Sequence, residues 1–336
     1  MKHWYRFVQG ILPAKARGLA VLCVLLFVGS FAFAQEATIV GTVTDPSGSV
    51  LPNVNITITN TDTGRVNTFA TNDAGQYVAP GLVIGHYSVK AEASGFKSAT
   101  KSGVVLNVGD RDRLDFAMAV GSISEKVTVE ANPIAVQADN GEVSHVITGQ
   151  QLTQLSTNGR SVYSLFAMTP GASSLQADFI IPTAVSGDSN VSINGQRSGH
   201  NLQLIDGGEN LDRGGSSGSV MPSLDAIAEF RNMTSNYSAE YGASSAATIT
   251  EVVKSGSKQF HASAWEFNRN DALDARNYFN RPPQKVAELR FNTYGFNVGG
   301  PVEFRHSDNP KTFFFYNMEW RKLIQGGVLN LTEPLT

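Results

Sequence analysis

One stretch of the chain spells a catalytic motif. Gly214-Gly-Ser-Ser-Gly218 matches G-x-S-x-G, the turn on which α/β-hydrolases hold a nucleophilic serine. That turn needs a buried strand before the serine and a helix after it to aim the hydroxyl. Here the surroundings are Gly/Ser low complexity running on to Pro222, so the stretch reads as a loop. The six histidines (His3, His86, His145, His200, His261, His306) include none in H-E-x-x-H and none with a Glu three residues on, so no zinc-hydrolase ligand set forms. Phosphate-cradling glycine loops, dinucleotide turns and EF-hand spacings are also missing. With no nucleophile, base and orienting group to assemble, the expectation is a protein without catalytic residues, metal or cofactor. The remaining chemistry is binding. Ile123, Ser124, Glu125, Lys126, Val127, Thr128 and Val129 form a β-prone stretch between Gly121 and Asn132-Pro133, and such a stretch can add as a strand to another protein's sheet edge.

Composition narrows the class of protein that must position these residues. The chain has 336 residues, with 26 Lys+Arg against 29 Asp+Glu and a formal charge of −3, so it offers no basic field for nucleic acid. Charged residues are 16% of the chain, below the ~25% of ordinary globular proteins, while 32 Gly and 13 Pro punctuate it with turns. Mainly β structure in two or three domains follows from that balance and length.

Residues 1–34 have the pattern of a signal peptide. Lys2, Arg6, Lys15 and Arg17 precede a charge-free apolar run from Leu19 to Val28, and Ala32-Phe-Ala34 supplies the small residues of a cleavage site. An uncleaved anchor is the alternative, but the run is shorter than the ~20 residues a membrane span needs. Cleavage removes four cations, taking the charge from −3 to −7, and also removes Cys23, the only cysteine. Export without disulfides suits a bacterial envelope protein.

Residues 36–120 read as a β-sandwich. Seven alternating runs (Ile39–Thr44, Val54–Thr59, Arg65–Ala70, Gly75–Ala79, Tyr87–Ala93, Val104–Val108, Leu114–Met118) are separated by Asp45-Pro-Ser-Gly48, Asp62-Thr-Gly64 and Asn72-Asp-Ala-Gly75, which carry turn residues at turn positions. Gly41 to Asp45, Leu51-Pro52, Thr63-Gly64, Gly75-Gln-Tyr77, Gly85-His-Tyr87 and Gly95-Phe96 resemble the carboxypeptidase regulatory-like domain, a prealbumin-like sandwich grouped with carbohydrate-binding folds. Tyr77, Tyr87 and Phe96 then have two readings, a sugar-stacking platform or the aromatic core of a small domain.

Residues 121–257 read as a polar, loop-rich α+β domain with a short helix at Gly149–Leu155 and a turn at Asp206-Gly207. In order come Asn158-Gly-Arg160, Thr169-Pro-Gly171, Ile193-Asn194-Gly-Gln-Arg197, Leu204-Ile-Asp206-Gly207, Glu229-Phe230, Tyr237-Ser-Ala-Glu240-Tyr-Gly242 and Lys254-Ser-Gly256. This series is similar to the plug of the Oar-like subgroup of TonB-dependent outer-membrane receptors. The resemblance implies that Ile123–Val129 is the segment gripped by TonB from the periplasm. It also implies that Arg160, Asn194, Arg197, Asp206, Glu229 and Glu240, with Glu319 and Arg321 further on, form a polar plug-and-barrel motif. Charges held away from water require partners, so Arg160 and Arg197 are expected to pair with carboxylates inside the barrel; the alternative leaves them as solvent-facing loop cations.

Residues 258–336 read as the start of a transmembrane barrel. His261–Arg269, Asn292–Gly299 and Thr312–Lys322 alternate with the length of barrel strands, and the expected pattern is apolar outward and polar inward. Trp265 and Phe267 share one face of the first run, opposite Glu266 and Asn268; Tyr294, Phe296 and Val298 share one face of the second; Phe314, Tyr316, Met318 and Trp320 share one of the third. A soluble sandwich would alternate in the same way. Lys258 to His261, Arg269 to Ala272, Gly299-Gly-Pro301 and Phe313-Phe-Phe315 resemble the first barrel hairpins of the Oar-like receptors, with two departures: Ala262 where glycine is usual, and Glu251 where a small or amide residue is usual. Barrels of this class have about 22 strands and need over ~200 residues in strands alone. The 79 residues from position 258 onward therefore lead to the expectation of an incomplete barrel and the N-terminal part of a longer receptor.

The functional expectation is a TonB-dependent outer-membrane transporter or receptor taking up a carbohydrate, siderophore or peptide. Its partners would be TonB with its inner-membrane energising complex, outer-membrane lipid and that ligand, a glycan among the candidates, but no nucleic acid; the first domain and coupling segment would be periplasmic. The alternative is an exported carbohydrate- or peptide-binding adhesion module without transport.

Overall fold

The computed structural model describes residues 37–121, 126–130, 141–154, 158–162, 165, 168–174, 191–212, 214, 217–242, 244–276, 285–302 and 310–326. The signal segment 1–34 and Ile123, Ser124 and Glu125 of the coupling segment lie outside these residues.

The first domain is a two-sheet sandwich. Its strands are β1 (Ala37–Thr44), β2 (Asn55–Asn60), β3 (Val66–Ala70), β4 (Gln76–Leu82), β5 (Gly85–Glu92), β6 (Ser98–Leu106), β7 (Arg111–Arg113), β8 (Phe116–Ala117) and β9 (Lys126–Glu130). One sheet runs β4-β1-β7 with β8 also against β1, and the other runs β3-β2-β5-β6-β9. Alternation sends Ile39, Val43, Ile56, Ile58, Leu82, Val89 and Leu106 into one core between the sheets. Tyr77 and Tyr87 are core residues, not a sugar platform: they are 2% and 3% exposed, and their hydroxyls donate to Leu114 O at 2.7 Å and Val83 O at 2.6 Å. Burial pushes both phenols up from their ordinary range.

The turns form as their residue types dictate. Asp45 Oδ1 accepts from Ser47 N and Ser49 N, Asn60 Oδ1 from Asp62 N and Thr63 N, and Asn72 Oδ1 from Ala74 N and Gln76 N.

Two expected strands differ from the observed ones. Of the run at Leu114–Met118 only Phe116–Ala117 is strand (β8), with β7 just before it; between the two, Asp115 Oδ1 accepts Thr42 N at 2.7 Å and a side chain takes over one rung of the ladder. β6 starts six residues before the expected Val104. Its polar first half is joined to the apolar second half by a bulge at Ser102-Gly103, where φ of Gly103 is 75°.

β9, the described part of the coupling segment, pairs in parallel with β6 from Ser98↔Lys126 to Ser102↔Glu130. It is thus an edge strand of the sandwich in its own chain.

The middle domain contains β10 (Val143–Thr148), α1 (Gly149–Gln154), β11 (Ala172–Ser174), β12 (Val191–Ile193), β13 (Leu202–Ile205), β14 (Gly208–Glu209), β15 (Leu211–Asp212), β16 (Ser217–Gly218), β17 (Ile227–Ser235) and β18 (Thr248–Val253). Its main sheet has the order β10-β17-β18-β13-β14. α1 covers one face, where Ile147, Leu152, Leu165, Ile193, Leu224, Ile227, Phe230 and Ile249 make the core. β13 and β14 join through Asp206 and Gly207 with φ of 46° and 80°, both positive as a two-residue hairpin turn demands. Of the G-x-S-x-G stretch, Ser217 and Gly218 pair with Asp212 and Leu211 in the small β15–β16 hairpin, and Gly215 and Ser216 lie outside the described residues.

The third unit is a wall of β19 (His261–Asn270), β20 (Leu289–Pro301) and β21 (Phe313–Gln325), paired in that order and antiparallel throughout. Its strands are 10, 13 and 13 residues long, enough to cross a bilayer when tilted.

Gly41 gives a test of the sandwich core. A Cβ there would collide with Leu114 O and lie 2.7 Å from Tyr77 Cε1, whereas a Cβ on Gly48 meets nothing. Gly41→Ala is expected to destabilise the sandwich by about 1–3 kcal/mol through overpacking. Gly48→Ala carries only the positive-φ cost of about 1 kcal/mol. Thermal unfolding followed by near-UV circular dichroism should rank them in that order.

Candidate functional site

The wall has two unlike faces. Outward point Tyr294, Phe296, Tyr316, Met318, Trp320 and Ile324; Tyr316 is 50% and Trp320 41% exposed, and the Tyr294 and Trp320 rings stack with centroids 5.6 Å apart. Inward point Thr293, Asn297, Asn317, Glu319 and Arg321, with Thr293 and Asn297 fully buried against the middle domain. An apolar aromatic face and a polar face on alternate residues suit lipid on one side and a filled lumen on the other.

β19 reverses the expected sense. The register pairs Trp265 with Gly295 and Phe267 with Thr293, which puts both aromatics on the inward face and Glu266 and Asn268 outward. The reason is local. Gly295 leaves room for the indole, since a Cβ there would lie 2.8 Å from Trp265 Cζ2, and Trp265 Nε1 donates to Glu319 Oε2 at 3.2 Å.

The seam between middle domain and wall is built on these inward groups. Arg160 ends a 3-10 turn in the left-handed region (φ 52°), and its Nη2 donates to Asp225 Oδ2 at 2.5 Å. Its guanidinium lies 3.7 Å from the Phe267 ring centroid. The cation is thus held between a carboxylate of its own domain and an aromatic ring of the wall, so the carboxylate partner of Arg160 is Asp225, not a barrel residue. Ser223 caps the turn carrying Asp225 and donates to Glu319 Oε2 at 2.9 Å, while Arg321 Nε donates to Glu319 Oε1 at 2.7 Å. Asn297 Nδ2 reaches Asp225 O at 3.4 Å. Glu319 therefore gathers a hydroxyl, an indole and a guanidinium, and joins the two units.

The other expected site residues fall elsewhere. Asn194 is in a left-handed turn and donates to Thr234 O at 3.0 Å, bracing the middle domain from within. Arg197 is exposed and has no ion-pair partner among the described residues, the solvent-facing alternative. Glu240 lies in the 3-10 turn Ala239–Tyr241, and its side chain is outside what is described. Glu229 faces the sandwich instead of the wall, accepting from Val108 N at 3.0 Å. Lys126, Val127, Thr128 and Val129 lie in β9. Asp206 Oδ1 accepts from Val253 N at 2.9 Å, and its own N–H donates to Glu251 O.

Glu251 is 1% exposed, and Oε2 has no hydrogen-bond partner among the described residues. Burial, aided by Asp206, pushes its carboxyl up to about 8, and burial also raises Asp206. Among the described residues no cluster of three metal-binding side chains occurs.

Reading the sequence did not single out Asp225, Ser223 or Arg231. For Arg231 a signal existed: it stands two residues from Glu229 in an alternating strand and so shares its face. Asp225 and Ser223 carried none, because their role depends on which loop meets the wall.

A β wall with an aromatic outer face and a polar, occupied inner face, preceded by a two-sheet sandwich and a middle domain, has the pattern of an outer-membrane β-barrel protein. Residues 38–119 match the carboxypeptidase regulatory-like domain family, and residues 252–336 match an outer membrane beta barrel domain family. The chain is a homologue of the TonB-dependent transporter Oar of Myxococcus xanthus, with 27% identity over 257 residues covering 74% of this chain and 23% of that protein. It therefore spans under a quarter of that relative's length. It is an outer-membrane protein. Similar solved structures include the siderophore receptor PirA from Acinetobacter baumannii (18% identity, 54% of this chain and 24% of that one, TM-score 0.37). The outer membrane transporter YddB from Escherichia coli is another (15% identity, 48% and 24%, TM-score 0.39).

Two predictions arise from the seam and the sheet. Arg160→Leu leaves Asp225 largely buried without its cation, and is expected to weaken the seam by about 3 kcal/mol or more. Arg160→Lys keeps the charge but loses the planar stack and should fall between. Urea-dependent protease access to the middle domain in membranes would rank the three proteins. The second concerns pH. The Glu251 carboxyl is raised on folding, so the unfolded chain ionises first and stability is lost as pH climbs from about 4.5 toward 8. Wild type should be a few kcal/mol less stable at pH 8.5 than at pH 5, and Glu251→Gln should flatten that dependence in denaturant titrations.

Proposed function

We propose that this chain supplies the coupling, plug and first wall strands of a TonB-dependent outer-membrane transporter that takes up a carbohydrate, siderophore or peptide. The observation that carries the reading is the seam: Arg160, Ser223 and Asp225 of the middle domain meet Trp265, Phe267 and Glu319 on the inner face of a wall whose outer face is apolar. A domain attached in this way is a plug, and a plug has a purpose only if something displaces it.

The bonds in the seam are few and local. Each can break and reform with water that enters the lumen, so the plug is released without unfolding the wall. The force enters from the periplasm through TonB, at Ile123–Val129. Lys126–Val129 already hold an extended conformation as an edge strand, which suits capture by strand addition. Ligand sits at the opposite end of the wall, beyond the pairing of Asn270 with Arg290.

Val127→Pro removes an N–H needed for strand pairing and blocks its continuation. We expect a tenfold or greater drop in cross-linking to TonB in membranes, with the variant still folded and inserted. Unchanged cross-linking would place the coupling segment elsewhere.

A further inference from the structure

The face of the plug sheet turned away from its own core carries Glu229 and Arg231, and both reach into the sandwich. Glu229 Oε1 accepts from Val108 N at 3.0 Å, and Arg231 Nη1 donates to Val108 O. Two side chains of one strand therefore occupy both backbone polar groups of a single residue, Val108, in another domain. Arg231 Nη1 also donates to Asp110 Oδ1 at 2.7 Å, and its Nε and Nη2 donate to Glu142 Oε1 at 3.1 and 2.8 Å. Asp110 is shared: its Oδ2 accepts from Asn107 N and Nδ2, which holds the receiving turn in shape. Gly109 in that turn has φ 68° and lies beside the Arg231 guanidinium and the Tyr241 hydroxyl. Arg231 is 1% exposed, Val108 1%, and Asp110 and Glu229 4% each.

Among the described residues the cluster holds one cation, Arg231, and four carboxylates, Asp110, Asp112, Glu142 and Glu229, with Tyr241 at its border. We propose that this clamp is a proton-linked latch: the sandwich is held on the plug while the carboxylate excess is partly protonated, and is released as the medium turns alkaline.

The direction follows from the surroundings. Burial pushes Glu229 up to about 7, with Asp110 adding to the rise and the Val108 N–H and Arg231 opposing it. Burial and Asp110 push Asp112 up to about 6 against the pull of Arg231. Burial lowers Arg231, but Glu142 and Asp110 outweigh it and keep the guanidinium charged. Once the sandwich leaves, Glu229 and Asp112 return to water and to the ordinary carboxylate range near ~4. Docking therefore takes up protons, so it is favoured at low pH and weakens as pH rises through about 7. This latch is independent of the coupling segment and of any ligand. It would act on the sandwich–plug contact in any receptor or adhesin built on this chain.

The test is a distance measurement on the full chain in membranes. With Cys23→Ser no native cysteine remains, and spin labels at Asp73→Cys in the sandwich and Gln154→Cys on α1 report the gap between domains. Wild type should give one narrow distance at pH 6 and gain a broad component at pH 8.5, with the released fraction rising about tenfold or more. Glu229→Gln keeps an acceptor for Val108 N without the charge, and should stay narrow at both pH values. Arg231→Leu should be broad at both. Asp110→Asn, on the sandwich side, should shift the same way and serves if the arginine variant does not fold. A wild type narrow at pH 8.5, or one equally broad at both pH values, would overturn the latch. So would a Glu229→Gln variant that follows pH as wild type does.

Discussion

A guanidinium taken out of water stays charged only if its surroundings supply enough acceptors, and the middle domain of this protein contains two such groups. Arg160 finds Asp225 and the face of Phe267, while Arg231 finds Asp110, Glu142 and the Val108 carbonyl. In each case part of the answer comes from a different domain. The middle domain is therefore not a finished unit on its own: one arginine ties it to the wall and the other to the sandwich.

Hydrophobic burial cannot do this work here. The sandwich and the middle-domain sheet each have their own apolar core, but the surfaces between units are polar, with Ser223, Asn297, Glu319 and Glu229 largely buried in them. Polar contacts of that kind have low net stability because water can replace each bond, and a high geometric demand because an unmatched group costs more than a matched one gains. Such surfaces hold a domain in one place and still let it be displaced, whereas an apolar seam would resist any modest pull.

Glu251 fits the same logic less comfortably. It is buried next to Asp206 and raised to about 8, so the sheet keeps a neutral acid where an amide would serve. Together with Glu229, raised to about 7, it places a displaced carboxyl on each face of the middle-domain sheet, one turned to its own core and the other to the sandwich.

Much of the architecture is legible from the sequence because it depends on local rules. Alternation in β1, β2, β5, β20 and β21, the Asp and Asn turns of the sandwich, the Asp206-Gly207 hairpin and the helix at Gly149 all follow from side-chain periodicity and from the φ values that glycine, aspartate and asparagine tolerate. Three features do not follow from such rules. Trp265 and Phe267 share a face in the sequence, but which side that face takes is set by the register with Gly295 and by Glu319 two strands away. Arg160 was expected to pair with a carboxylate away from water, and it does, but nothing local in the sequence pointed to Asp225, which a loop of the same domain brings near. Glu229 was expected in the plug-and-barrel motif, yet it faces the sandwich. Periodicity tells which residues share a face, since that depends on bond geometry within one strand. What each face meets depends on how separate elements pack, and only the tertiary structure decides that.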